Sequence, residues 1–219
     1  MRKLFKNSIQ RTVKISLSLL LLVALAACGT TNWPFNPIDQ NKKYKPSSIA
    51  VISGRDKAAD VKLADFITKG LAERSTFRVM PQKEIEKRVA DYPPTILIKT
   101  AIKEDDEKPI WFLPSEKAKL NAIQASLKVD YLFVVWVRQV RRVTVTGSGG
   151  GSTTDYVYPG GNLIEYPGAK VVASTMSVAG SSMSPLALFR DADYYVLDAL
   201  KIAAEDIVDE FLAVTKSKK

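Results

Sequence analysis

The sequence of 219 residues contains no histidine and only one cysteine, Cys28. Without histidine the chain lacks the commonest general base and the commonest metal ligand, so Ser-His-Asp and Cys-His catalysis and histidine-ligated zinc are excluded. A single cysteine cannot form a disulfide within the chain, so burial of apolar side chains has to hold the fold together. We therefore predict a protein with no metal site, no cofactor and no enzymatic activity. Catalysis by carboxylates alone is the remaining alternative, and it would need a specific pair of acidic residues.

Residues 1–27 are typical of a cleaved secretory signal peptide. They carry five basic side chains and no acidic one, and an apolar run of 13 residues, Ile15 to Ala27, ends in small residues. That run is shorter than the ~20 residues that a membrane-spanning helix needs. Removing this segment would leave 27 basic against 23 acidic side chains, so the net charge of +9 would fall to +4. A nucleic-acid partner is therefore not expected.

The four residues from Leu25 to Cys28 resemble the lipobox of bacterial lipoproteins. This resemblance implies that the signal is cut before Cys28, and that the cysteine then carries a palmitate-containing lipid on its sulfur and amino group. In that family an aspartate after the cysteine often signals retention in the inner membrane, and here Gly29 follows instead. The expectation is a lipoprotein of the cell outer membrane, anchored through Cys28 and facing the periplasm.

The rest of the chain is predicted to be a tether followed by one domain. Residues 28–46 contain prolines and no apolar periodicity, so they are predicted to be a tether, whose Trp33 and Phe35 lie either in the lipid interface or against the domain. Residues 47–219 alternate short apolar runs with amphipathic segments. This pattern predicts a single α/β domain with a mixed sheet of about four to five strands and helices packed on it.

The second half of the domain contains its most strand-like segment. Seven consecutive apolar residues, Tyr131 to Val137, predict a central strand that is covered on both faces. Beyond it the apolar pattern changes face, which predicts a bulge near Arg141 and Arg142. Residues 138–178 are predicted to form a long hairpin whose Tyr-, Pro- and Gly-rich part, residues 147–168, is a flexible loop. A further strand is predicted for residues 170–179, and a long helix from about Pro185 to Thr215 with Leu197 in its apolar stripe. Before the central strand, the spacing of Leu120, Ile123 and Leu127 predicts a helix with these three residues on one face.

This hairpin also carries the candidate interaction surface. Arginine and tyrosine are enriched at protein interfaces, and several of both lie in or beside the predicted loop. An ordinary solvated hairpin edge that is protected by charge is the alternative interpretation. The candidate partner-binding residues are Arg138, Arg141, Arg142, Tyr156, Tyr158 and Tyr166.

Three other motifs are weaker. Residues 53–56 follow a strand, but they lack the glycine and lysine frame of a phosphate-binding loop, so a helix-start turn is predicted. The acidic residues 104–107 do not have the ligand spacing of a calcium loop. Asp191, Asp193 and Asp198 are explained by the preference for acidic residues at the start of a helix.

The order of elements resembles a group of bacterial envelope proteins. The residues that carry this resemblance are Ile49 to Ile52, Phe77 to Pro81 and Val129 to Val134. The group includes the curli-export lipoprotein, the lipoprotein activators of penicillin-binding proteins and the amino-terminal domain of the Tol propeller protein. It implies a non-catalytic α/β domain that binds or helps assemble other envelope proteins. The alternative is a subunit of an oligomeric outer-membrane secretion pore, with residues 138–178 as its pore hairpin.

Overall fold

The computed structural model describes residues 33–37, 47–96, 114–147, 150–183 and 192–215. All of these belong to one compact unit. The predicted signal peptide, Cys28 and the acidic residues 104–107 lie outside the described residues. In chain order the elements are β1 (Trp33–Pro37), β2 (Ser48–Ser53), α1 (Ala58–Arg74), β3 (Arg78–Val79), α2 (Gln82–Arg88), α3 (Pro114–Leu127), β4 (Tyr131–Gly147), β5 (Gly150–Glu165), β6 (Lys170–Met176), β7 (Ala179–Met183) and α4 (Ala192–Thr215).

The strands form one mixed sheet, which confirms the predicted α/β fold. The strand order is β1-β6-β5-β4-β2-β3, and β7 pairs with the outer half of β5. Strand β2 runs parallel to both β3 and β4, whereas the remaining pairs are antiparallel. The sheet has seven strands rather than the expected four to five. The additional strands come from the predicted tether and from the predicted flexible loop.

Strand β4 lies at the centre of this sheet, as its apolar run predicts. Tyr131, Phe133 and Val135 point into a core that α1 and α4 cover, and Leu132 and Val134 point into a second core under α2 and α3. Every residue from Tyr131 to Val137 is buried. Because successive side chains of a strand point to opposite faces, only a continuous apolar run can fill two cores at once.

The prediction of a flexible loop at residues 147–168 is wrong, because most of this segment is strand β5. It pairs with β4 from Gly150 to Glu165, and its inner half is buried. The two glycines that suggested a loop are explained by large neighbours on β4. A Cβ atom on Gly161 would lie 2.6 Å from the Phe133 ring, and one on Gly160 would lie 3.0 Å from the Trp136 ring. Glycine is used here because an aromatic ring occupies the place of its side chain.

The bulge lies earlier than predicted. The register of β4 against β5 shifts between Val137 and Gln139, and pairing then continues without interruption to Gly147. Val137 pairs with Pro159 and Val140 pairs with Val157. The extra residue, Arg138, therefore keeps Val137 and Val140 on the same face although they are three positions apart. The valines after Val140 lie on the opposite face by ordinary alternation along the strand, so no bulge is needed near Arg141 and Arg142.

Three boundaries also differ from the predictions. Residues 33–37 of the predicted tether form β1, which pairs antiparallel with β6. The single strand predicted for residues 170–179 is two strands, β6 and β7. The described part of the last helix begins at Ala192, and residues 184–191 lie outside the described residues. Within that helix Leu197, predicted to be in the apolar stripe, is 39% exposed.

Candidate functional site

The sheet continues beyond the part that carries most of the core, as a three-stranded extension. We call this extension the outer ribbon; it consists of residues 138–147 of β4, residues 150–158 of β5, and β7. β2 pairs with β4 only as far as Val135. Among the residues that the structure describes, no strand pairs with the other side of β4 beyond that point. The outer ribbon therefore has an open edge along β4.

A buried ion pair marks the beginning of this open edge. The Arg55 guanidinium donates to both oxygens of Asp60, at 2.7 and 3.2 Å, and Asp60 is fully buried. The backbone N–H of Val137 donates to Asp60 Oδ1 at 3.0 Å, and Arg55 donates to the Val137 carbonyl. The two side chains thus replace the strand pairing that β2 no longer provides. The turn at residues 53–56 serves this structural purpose, in agreement with its interpretation as a helix-start turn.

One face of the outer ribbon is engaged with the rest of the domain. Arg142 donates to both oxygens of Asp155 at 2.7 Å, and Asp155 is only 2% exposed. The hydrogen bonds to Asp155, the charge of that carboxylate and the nearby Asp193 raise the pKa of Arg142. On the same face, the Ser181 hydroxyl donates to Asp198 of α4 at 2.7 Å. Arg142 is therefore paired with Asp155 within the outer ribbon, and the hydrogen bond to α4 on this face comes from Ser181.

The opposite face of the outer ribbon presents the arginine and tyrosine side chains of the candidate surface. Arg141 pairs directly with Tyr156, and directly paired residues of antiparallel strands point to the same side. Tyr158 follows two residues later on that side. Arg141 is exposed and both tyrosines are half-buried. Tyr156 also lies over Gly180 of β7, where a Cβ atom would come within 2.9 Å of the ring.

The six candidate residues are therefore not one surface. We call this side of the outer ribbon the open face, because the second core of the described residues ends before it. It holds Arg141, Tyr156 and Tyr158, and the exposed Arg138 lies beside them at the bulge. Arg142 lies on the other face. Tyr166 follows the last residue of β5, at the end away from the outer ribbon. It is ten residues from Tyr156, which corresponds to about 33 Å along a strand.

The far end of the outer ribbon is uncharged. The residues that follow the Arg142–Asp155 pair on β4 and precede it on β5 are valine, threonine, serine and glycine. Val145, at this end, is 62% exposed. Val140, which comes before Arg142 on β4, is 46% exposed. Exposed valines on a projecting hairpin are a candidate contact with another molecule.

Two further polar clusters fix strands and turns within the domain. Asp130 accepts hydrogen bonds from Ser47 and from both the backbone and the hydroxyl of Ser48, and these bonds lower its pKa. Tyr92 donates to Gln82 at 2.8 Å, and burial raises the pKa of Tyr92 to about 12. Both clusters join the ends of β2 to neighbouring elements, so we assign them a structural role.

The described residues hold no group of three or more histidine, cysteine, aspartate or glutamate side chains that can bind a metal ion. None of their helices is long and apolar enough to cross a membrane.

The sequence matches no protein-family model and no curated protein. Several solved structures are similar to this chain at low identity and low TM-score. A PelC dodecamer from Paraburkholderia phytofirmans is 12% identical, with a TM-score of 0.39, over 87% of this chain and 99% of that one. A minor lipoprotein from Acinetobacter baumannii is 9% identical, with a TM-score of 0.43, over 76% and 93%. Lipoprotein GNA1162 from Neisseria meningitidis is 10% identical, with a TM-score of 0.42, over 77% and 99%.

Proposed function

We propose that this chain is a non-catalytic lipoprotein of the outer membrane, anchored through Cys28 and facing the periplasm, that binds or helps assemble other envelope components. The sequence from Leu25 to Cys28 supports the anchor. The observation that carries the binding role is the outer ribbon, which leaves the body of the domain with one open face and one open edge. The end of this ribbon, residues 143–147 and 150–154, contributes no side chain to either core cluster of the described residues, so burial of a core does not explain it.

The open face offers suitable anchors for a protein partner. Tyr156 and Tyr158 are half-buried and held in place by neighbouring strands, so they lose little conformational freedom when a partner covers them. Arg141 beside them adds a charged group that hydrogen-bonds carboxylates. The unpaired side of β4 offers backbone groups to which a strand of the partner can add.

The length of the hairpin favours a second candidate function, a subunit of an oligomeric pore. Strands β4 and β5 have 17 and 16 residues, and a membrane-crossing strand needs about 9–11. Arg141 and Arg142, on opposite faces, count against a strand with a lipid-facing side. Gentle detergent extraction distinguishes the two functions, because a pore subunit elutes as a large ring and a binding module elutes as a small species.

The anchor is tested by Cys28→Ser. We expect this variant to remain unprocessed and to incorporate no labelled palmitate, because no other cysteine is present. Mature, membrane-bound protein after this change would contradict the lipoprotein assignment.

The binding face is tested by placing a photo-crosslinking amino acid at position 158 and, as a matched tyrosine control, at position 166. We expect a discrete crosslinked envelope protein from position 158 alone, because Tyr166 lies at the other end of the sheet. Tyr156→Ala combined with Arg141→Ala is expected to remove the 158 crosslink without lowering the melting temperature by more than a few degrees. Equal crosslinking from both positions would place the interface elsewhere.

A further inference from the structure

The backbone groups at the open edge of the outer ribbon belong to alternate residues of β4. Before the bulge, Val135 and Val137 point to this side, because the Val135 carbonyl accepts from the Gly54 N–H and both backbone groups of Val137 are bound by Arg55 and Asp60. The single extra residue at the bulge moves this orientation from odd-numbered to even-numbered positions. The residues whose N–H and C=O groups point to the open edge are therefore Val140, Arg142, Thr144 and Thr146.

The end of this edge has none of the usual protection against strand pairing. Edge strands ordinarily carry charged residues, prolines or bulges that prevent another strand from adding. Residues 143–147 contain no charge and no proline, and their register with β5 is uninterrupted. Thr144, Val145 and Thr146 are exposed. This stretch of the edge is therefore accessible to an added strand.

The sequence around Thr144 matches itself when two copies of β4 run antiparallel. With a two-fold axis between the two Thr144 residues, valines face valines and no two charges of one sign are directly opposite. An axis at Arg142 would oppose two arginines, and an axis at Val143 would place Arg141 against Val145. The opposed pairs around Thr144 are Thr144 with Thr144, Val143 with Val145, Arg142 with Thr146 and Arg141 with Gly147.

We propose that the open edge of β4 pairs with the same edge of a second copy of this chain, antiparallel and centred on Thr144. The inference rests on the proposed function, because it names the strand that the open edge binds. Arg142, Thr144 and Thr146 of each copy give one backbone donor and one backbone acceptor to the other copy. The Thr144 hydroxyl already lies 3.1 Å from the Thr153 hydroxyl, so a row of threonine hydroxyls crosses the pair.

Pairing in this way places both open faces on the same side of one continuous sheet, because directly paired residues point to the same side. Tyr156 and Tyr158 of both copies then face one direction. Val143 and Val145 of the two copies pack together on that side, which removes the exposed Val145 from water. The open faces stay available to another envelope protein, which can contact both of them at once.

Single cysteines test the contact in envelopes that contain the lipidated, full-length protein. Thr144→Cys is expected to give a disulfide-linked dimer on mild oxidation, because directly paired residues lie about 5.5 Å apart, within the range of a disulfide. Ser152→Cys, at an exposed position on β5, is the matched control. The β5 strands of the two copies are three strand spacings apart, about 14 Å, so this control is expected to give no link. The parent, with Cys28 alone, measures any linkage through the native cysteine.

The register is tested by two further cysteine variants. Val143→Cys and Val145→Cys are each expected to link poorly alone and efficiently when the two variants are expressed together, because position 143 of one copy faces position 145 of the other. Efficient linkage of Val143→Cys alone would overturn the register centred on Thr144.

Proline at the edge separates pairing from folding. The Thr144 N–H points to the open edge, so Thr144→Pro removes no hydrogen bond to β5. The Val143 N–H points to β5, so Val143→Pro breaks the ladder within the chain and is the control for damage to the fold. We expect the parent extracted in mild detergent to have twice the mass of one chain by native mass spectrometry. Thr144→Pro is expected to have the mass of one chain and to keep a cooperative melting transition, which Val143→Pro lowers further.

The outcomes distinguish this inference from the proposed function. A parent with the mass of one chain and no linkage at position 144, or a parent that forms a larger ring, would overturn the inference. A discrete crosslink from position 158 to another envelope protein would still support the proposed function in that case. A dimer linked at position 144, without any envelope protein crosslinked at position 158, would support the inference and contradict the proposed binding role.

Discussion

Replacing Gly161 by alanine tests the most consequential feature of the fold, the burial of a glycine pair under aromatic rings. The new methyl group would lie 2.6 and 2.9 Å from two carbons of the Phe133 ring and 3.2 Å from Val135. Ordinary contacts between carbon atoms are about 3.5–4.0 Å. Phe133 cannot easily move away, because it is fully buried and stacks on Phe211 with ring centroids 6.1 Å apart.

The expected cost is the balance of two opposing effects. Inserting a methyl group into a packed core destabilises a protein by about 1–3 kcal/mol. Alanine also reduces the conformational entropy of the unfolded chain, which offsets about 0.4–1 kcal/mol of this destabilisation. Because the displaced ring is held on both sides, we expect a net loss of about 2 kcal/mol in the free energy of unfolding. For a domain of this size, this loss corresponds to a fall of about 4–8 °C in melting temperature.

The assay is thermal and urea unfolding of the parent and of two alanine variants on the same strand. Gly151→Ala is the matched control, since its methyl group would meet only ordinary contacts at 3.4 and 3.7 Å. We expect that control to change the stability by less than about 0.5 kcal/mol. In a Phe133→Leu background the cost of Gly161→Ala should shrink, because the ring carbons are gone. Equal costs at positions 151 and 161, or an unchanged cost in that background, would refute the reasoning.

Two further predictions concern charged groups. Because hydrogen bonds from Ser47 and Ser48 lower the pKa of Asp130 in the folded state, this carboxylate stabilises the fold above the ordinary pKa of 3.8, and the stabilisation is lost as the pH falls through the lower, folded-state value. Asp130→Asn should therefore unfold at lower urea than the parent at neutral pH, and the difference should disappear in strong acid; a pH-independent difference would contradict this. Arg142→Ala should lower the melting temperature more than Arg141→Ala, because only Arg142 leaves a buried carboxylate, Asp155, without its partner. Identical melting curves for the two arginine variants would contradict the assignment of faces.

The parts of the fold that were predictable are those in which local sequence and tertiary packing agree. The apolar run from Tyr131 to Val137 can fill two cores only as a central strand, and its position was predicted correctly. The helix with Leu120, Ile123 and Leu127 on one face was predicted from their spacing, and all three are buried.

Strand β5 was missed because its sequence is typical of a loop. Proline and paired glycines weaken a strand by local preference, and the reason for the glycines at positions 160 and 161 lies on another strand, in Phe133 and Trp136. A similar explanation applies to β1, a five-residue segment with two prolines whose partner, β6, lies more than 130 positions later in the chain. A single sequence does not show which distant segments become neighbours.

For a related reason, the sequence does not show which face of the hairpin each candidate arginine occupies. The composition indicated the hairpin, but the division of its arginines between two faces depends on the position of one bulge residue. With the bulge at Arg138, Arg141 shares a face with Tyr156 and Arg142 shares a face with Asp155. Asp155 pairs with Arg142, which lies thirteen positions earlier in the chain, a separation that no local periodicity indicates.

The ion pair between Arg55 and Asp60 allows the length of the hairpin to change without altering the body of the domain. By binding both backbone groups of Val137, it completes the body of the domain independently of anything further along β4. The rows at the end of the outer ribbon, residues 143–147 and 150–154, contribute to neither core cluster of the described residues. Adding two residues to each strand of the hairpin would lengthen its reach by about 7 Å and leave every side chain on its original face. Adding one residue to each would exchange the faces instead. The hairpin can therefore lengthen or shorten in steps of two residues per strand while the body of the domain stays the same.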